Sequence, residues 1–148
     1  MNASRVSKCR RRQRGAAAVE FAIVTALLCS LLIGIMEFGR VLFYWNTAAE
    51  ATRLGARMAV VCSKDDADIK QKMRGMLSFL ADDQIQVAYE PVGCTIDNCQ
   101  SVTVSIASGV SVSTVIPFVP LTIPLPAFST SLPRESMDSA GGTNPVCA

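Results

Sequence analysis

From Ala16 to Met36 the chain is an apolar and small-residue run interrupted by one charge, Glu20. Wound as a helix, such a run is about 31 Å long, which matches a bilayer hydrocarbon core of about 30 Å. A transmembrane helix over 16–36 is therefore expected. The remaining length leaves room for about one further domain in a chain of 148 residues. Only 18% of the residues are charged and half are hydrophobic, with a mean hydropathy of +0.34, which agrees with a membrane segment.

The charges are unevenly spread. Arg5, Lys8, Arg10, Arg11, Arg12 and Arg14 crowd the start, and no acidic residue precedes Glu20. A basic block that ends where an apolar run begins is retained on the cytoplasmic side, so residues 1–15 read as a basic cytoplasmic leader. A phosphate-binding arm is the competing reading of such a block, but no aromatic stacking residue is interleaved there and nucleic acid is not expected as a partner. A secretory signal peptide would have an apolar core of about 7–15 residues followed by a small-residue cleavage site. Here the core is longer, and Glu37 and Arg40 separate it from Ala48-Ala49. The chain contains no histidine, which removes Ser-His-Asp and Cys-His catalysis and every His-ligated metal site. No phosphate loop or zinc-hydrolase motif is present, so the sequence points to neither an enzyme nor a cofactor.

The helix is expected to continue to about residue 62, with its interface zone reaching about Trp45. Glu37 and Arg40 can pair at i, i+3, and Phe43, Tyr44 and Trp45 supply interfacial aromatics. Ala18, Ala22, Ala26, Ser30 and Gly34 recur every fourth residue, a stripe of small side chains that lets another helix approach closely. Past the membrane, Ala51, Gly55, Met58 and Cys62 share one face.

Residues 63–148 read as an extracytoplasmic α+β domain. Ser63 or Asp65 starts a second helix with Asp66 and Asp68 in its first turn and a stripe of Ile69, Met73, Met76, Leu77 and Leu80. Calcium binding is the alternative reading of the three aspartates, but no EF-hand loop follows. Ile85, Val87 and Tyr89, then Val102, Val104 and Ile106, alternate as strands, with turn residues Pro91, Gly93 and Asp97-Asn98 between them. Val110, Val112 and Val115 suggest a third strand, and Phe128–Leu132 a last one. Pro117, Pro120, Pro124 and Pro126 break the apolar segment 115–128, which suits a loop against the sheet or the membrane surface. Residues 137–148 read as a loose tail unless Cys147 is bonded.

Cys9 falls on the cytoplasmic side and Cys29 in the membrane, leaving Cys62, Cys94, Cys99 and Cys147 outside. Four cysteines allow three pairings. Cys94–Cys99 is the natural short loop, and Cys62–Cys147 would pin the tail to the long helix; zinc held by all four is the alternative.

An isolated glutamate in hydrocarbon costs a few kcal/mol unless it is paired or near water. Its context is Arg14-Gly15-Ala16-Ala17-Ala18-Val19-Glu20-Phe21, continued by Gly34-Ile35-Met36-Glu37-Phe38-Gly39-Arg40 and Ala51-Thr52-Arg53-Leu54-Gly55-Ala56-Arg57. Over Arg14 to Val61 this resembles the TadE-like minor pilins of tight-adherence (Flp, type IVb-like) pilus systems. Family members often carry a proline near Ala26 and a glutamate where Leu54 stands; this chain has neither. The resemblance implies cleavage by a prepilin peptidase between Gly15 and Ala16, and an assembly role for Glu20 and the adjacent Phe21. It implies residence in a bacterial inner membrane with the C-terminal domain periplasmic, and incorporation into an extracellular pilus is a further expectation. Its implied partners are that membrane, the peptidase, other pilin-like subunits and pilus assembly proteins. The alternative is an uncleaved bitopic anchor carrying a binding or adhesion module.

Overall fold

A computed structural model describes residues 4–116, 120–139 and 143–147, with side chains described from residue 15 onward. Its elements are helix α1 (Ser4–Val61), helix α2 (Ala67–Met76), a 3-10 turn (Asp82–Gln84) and strands β1 (Ile85–Glu90), β2 (Ser101–Ile106), β3 (Ser111–Ser113), β4 (Thr122–Pro124) and β5 (Ser129–Pro133). The architecture is α+β: a long apolar N-terminal helix, then a small helix and antiparallel sheet. The chain divides into two units, Met1–Gly39 and Arg40–Ala148.

In the first unit, none of the described side chains from residue 15 to 39 is buried. Val19, Phe21, Leu27, Leu31, Ile35 and Phe38 are all outward and apolar, as a helix surrounded by lipid requires. Its polar groups close on the helix itself: the Ser30 hydroxyl donates to the Ala26 carbonyl at 2.8 Å.

In the second unit the helix surface changes character. Ala48, Ala51, Ala56, Met58, Ala59 and Cys62 are buried, whereas Glu50, Arg53 and Arg57 face outward. Glu50 and Arg53 pair one turn apart at 2.7 Å, and both are well exposed. The buried face packs against Ile69 and Met73 of α2 and against the sheet residues Ile85, Val102, Val104 and Ile106. These form one core cluster, which also takes in half-buried Tyr44 and Trp45. The two aromatics expected to sit at the membrane interface thus pack on the domain. Phe43 alone of the three is largely exposed.

Asp66 caps α2, its carboxylate accepting from the Asp68 amide at 3.1 Å. The helix begins at Ala67, later than Ser63 or Asp65, because Asp65 adopts a left-handed backbone (φ 60°) and turns the chain. The expected stripe is buried at Ile69, Met73, Leu77 and Leu80, with Met76 left partly exposed at the helix end.

The main sheet has the order β1-β2-β5, antiparallel throughout. Pairing runs from Ile85↔Ile106 to Glu90↔Ser101, and from Ser101↔Pro133 to Ser105↔Ser129. The third strand of this sheet is therefore β5. The segment around Val112 instead pairs with β4 in a separate two-stranded sheet, from Ser111↔Pro124 to Ser113↔Thr122. Gly109, in the left-handed region at φ 94°, turns the chain out of β2 into that excursion. The proline-rich segment contributes β4, a short edge strand ending at Pro124, where the missing N–H costs no ladder bond. Pro117 lies outside the described residues.

Cys147 is bonded to Cys62, the condition under which the tail is expected to be tied down, and further contacts hold it. Met137 is fully buried, and the amides of Glu135 and Met137 both donate to the Val60 carbonyl at 3.1 Å. The Asp138 amide donates to Val61 at 2.8 Å, so the tail takes up carbonyls that the end of α1 leaves without a helical partner. Ser63 and Ser139 exchange hydroxyl and amide bonds at 2.8 and 3.0 Å, and the Ser139 hydroxyl donates to Asp66 at 2.8 Å. Gly141 and Gly142 lie outside the described residues.

Candidate functional site

The candidate site is the start of the apolar part of α1. Helix runs without a break through Gly15 and Ala16, and all described residues from Gly15 to Val24 are exposed. A side chain at Gly15 or Gly34 would meet no other atom within 4 Å. Ala16 and Glu20 are four residues apart and so lie on one helical face, with Phe21 beside Glu20. Ala18, Ala22, Ala26, Ser30 and Gly34 all lie in this helix and all are exposed, so the stripe is open along its length. Chemically, this is an exposed apolar helix surface. It offers a single carboxylate, a series of small side chains and large apolar neighbours, and the described residues place no second titratable group beside Glu20 for acid-base work.

The other named residues lie in the second unit. Two disulfides are present, Cys62–Cys147 with Cα atoms 5.6 Å apart and Cys94–Cys99 with Cα atoms 5.0 Å apart. Cys62, Cys94, Cys99 and Cys147 are all thereby consumed, which removes the zinc alternative. Cys29 is free and exposed on the apolar helix. Asp65, Asp66 and Asp68 do not converge on a common point. Asp66 is engaged with Asp68 and Ser139, while the Asp65 amide donates to the Tyr89 hydroxyl at 2.9 Å. Burial pushes the Tyr89 phenol above its ordinary 10.0; the Asp65 amide works against that, and the charges of Asp65 and Asp66 add to it.

Three features escaped the reading of the sequence. Gly55 is a close-approach point: a Cβ there would lie 2.5 Å from the Met73 sulfur and 3.2 Å from a Val104 methyl. Its signal was a glycine in the middle of an otherwise alanine- and leucine-rich helix. Arg40 donates to the Ser113 carbonyl and stacks over Tyr44 at 5.6 Å, fixing the β3–β4 excursion to α1. The tail's cap on Val60 and Val61 had no sequence signal, since it is made by backbone amides.

Residues 15–57 match the family model described as TadE-like protein. The resemblance read from Arg14 to Val61 is shown over that segment, which contains Glu20, the small-residue stripe, Arg40 and Gly55. The match supports membrane association, a place among tight-adherence pilus components and a structural, non-enzymatic role. No curated protein and no solved structure matches the chain.

Proposed function

We propose that the chain is a minor pilin-like subunit of tight-adherence pilus biogenesis, made as a precursor and cut by a prepilin peptidase between Gly15 and Ala16. The observation that carries this reading is the TadE-like match, which opens at Gly15 and spans the whole apolar run. The basic residues before the cut keep the leader cytoplasmic and send residues 63–148 to the periplasm. Both disulfides suit that oxidising side.

Cleavage gives Ala16 an α-amine one helical turn from Glu20. An amine and a carboxylate are each costly in lipid, and as neighbours they offset part of that cost. The new helix start also places its positive dipole end beside the carboxylate. Before docking, Glu20 can meet the amine of its own chain; on docking, it can meet that of an incoming subunit along the stripe of Ala18, Ala22, Ala26, Ser30 and Gly34.

Intact mass and N-terminal sequencing, with and without a co-expressed prepilin peptidase, test the cut. A chain starting at Ala16 only when the peptidase is present is the expected result. A chain starting at Met1 in both cases leaves an uncleaved anchor bearing a binding module. Glu20→Ala should insert into membrane normally yet fail to co-purify with pilus components; unimpaired incorporation would remove the assembly role of this carboxylate.

A further inference from the structure

Within the second unit, apart from Leu54, Met76 and Val146, the exposed large apolar side chains fall into two groups. Beside the first turn of α1 in that unit, Arg40 to Tyr44, stand Leu42 and Phe43 of α1 itself, Phe79 after α2, and Val115 and Leu121 beyond β3 and before β4. Separate contacts put them there. Phe79 meets Tyr44 edge-on at 5.3 Å, and Arg40 holds the Ser113 carbonyl. Beyond β3 and before β4 the two arms of the excursion pair, the Thr114 amide donating to the Leu121 carbonyl at 2.8 Å. Val115 there is 71% exposed.

The second place is beyond the far end of α1. Val92 and Ile96 sit in the β1–β2 loop, which is tied there by Lys64 donating to the Cys94 carbonyl and by Arg134 donating to Ile96. The twenty helical residues from Leu42 to Val61, a rise of about 28 Å, lie between the two places. We infer that the first group is a collar that rests in the outer leaflet of the membrane the chain crosses, so that the domain is seated on lipid as well as tethered through it.

Three observations favour lipid over a soluble partner. The collar is joined to Arg40 through the Ser113 carbonyl and the Tyr44 ring, and Arg40 directly follows residues 15–39 in the chain, so the collar belongs to the end of the domain nearest that stretch in sequence. Next, the stretch from Asn98 to Pro133 contains no charged residue, which leaves the hairpin nothing with which to recognise a charged protein surface and nothing that resists entry into headgroups. Finally, the collar combines aromatic and aliphatic side chains with Arg40, which stacks over Tyr44, the composition that settles at a membrane–water boundary.

The inference rests on the chain being membrane-spanning. The test uses the full chain in vesicles of phosphatidylethanolamine and phosphatidylglycerol with brominated acyl chains. The chain has a single tryptophan, so Trp45→Phe gives a silent background into which Val115→Trp, Leu121→Trp or Val92→Trp is placed. Fluorescence at 115 and at 121 should be quenched several-fold more by brominated lipid than fluorescence at 92. Equal quenching at 115, 121 and 92 with the protein floating with the vesicles overturns the collar alone. Failure to float overturns the membrane reading and the collar with it. Protection of 115 from acrylamide without quenching by brominated lipid shows a protein neighbour there and also overturns it. If Trp45→Phe unfolds the domain, a nitroxide at Val115→Cys or Val92→Cys, in a Cys9→Ser, Cys29→Ser chain, reads the same contrast through oxygen and nickel-chelate accessibility.

Discussion

Residues 15–39 and 40–61 are consecutive stretches of one helix that meet different surroundings. The first is apolar apart from Glu20, Glu37 and a few small polar residues, carries its small residues on an open stripe and has no buried side chain. The second is amphipathic: alanines, Gly55 and Met58 point into a core, while Glu50, Arg53 and Arg57 point away. Small residues do opposite things in the two stretches. At Gly55 the missing side chain lets α2 and β2 of the same molecule close in, whereas at Gly34 an added Cβ would meet no atom of the described residues within 4 Å. A glycine or alanine in a helix is thus a packing instruction whose partner is set by the medium: the chain's own core in water, a neighbouring helix in lipid.

The largest effect that can break this division is at the tail. The Cys62–Cys147 bridge closes 85 residues and ties the tail to the end of α1. Cys62→Ser with Cys147→Ser should cost the domain about 4 kcal/mol by loop entropy. Denaturant unfolding of the full chain in micelles, followed by near-UV dichroism, should show the domain transition shifted while the far-UV helical signal of 15–39 persists. If the whole helical signal moves with the domain, the two stretches are one cooperative unit.

Next comes the matched pair of glycines. Overpacking costs about 1–3 kcal/mol and the better helix propensity of alanine returns up to about 1. Gly55→Ala should therefore lower domain stability by about 1–2 kcal/mol, net of the two terms. Gly34→Ala should leave the same midpoint unchanged and weaken co-purification with pilus components instead. An equal shift of the midpoint at both glycines would erase the contrast.

What could be read beforehand follows the same line. The periodicity of Ala51, Gly55, Met58 and Cys62 exposed the core-facing side of α1, because burial against a single layer leaves a 3.6-residue signature. The alternation of Val102, Val104 and Ile106 exposed β2 for the same reason at period two. Strand β3 was found at Val112 but not its sheet, since three residues with one buried side chain carry no information about their neighbour. The capping tail offered one apolar residue, Met137, and otherwise binds through amides that every sequence possesses. At the candidate site the situation is reversed. Glu20 and the stripe are conspicuous as sequence, whereas among the described residues of this chain they stay exposed, so the fold adds little to what the sequence says of them.

A smaller effect should appear at the cap of α2. Asp66→Ala removes the bond to the Asp68 amide and the acceptor of the Ser139 hydroxyl, and should cost about 1 kcal/mol. Because Ser139 also braces Ser63, hydrogen exchange should quicken at the amides of residues 63 and 135–139 and stay unchanged in 15–39. Uniform acceleration along α1 would mean that the tail supports the membrane stretch as well.

The smallest effect concerns pH and is confined to the second stretch. Tyr89 is 8% exposed, its oxygen accepts from the Asp65 amide, and Lys64 lies 5.2 Å from its ring centre. Burial raises its folded pKa above the unfolded value of 10.0, so folding favours the neutral phenol. The sign follows by linkage: this contribution is fully present below pH 10 and is lost as pH rises through the folded pKa. Tyr89→Phe should cost about 0.5 kcal/mol below that range, the low end for a hydrogen bond, because the exposed Asp65 amide can turn to water. Above it the variant should lose stability less steeply than the parent, and the two unfolding curves should converge. Parallel curves from pH 8 to 11 would show that the phenol titrates alike in both states and that the alkaline loss arises elsewhere in the domain.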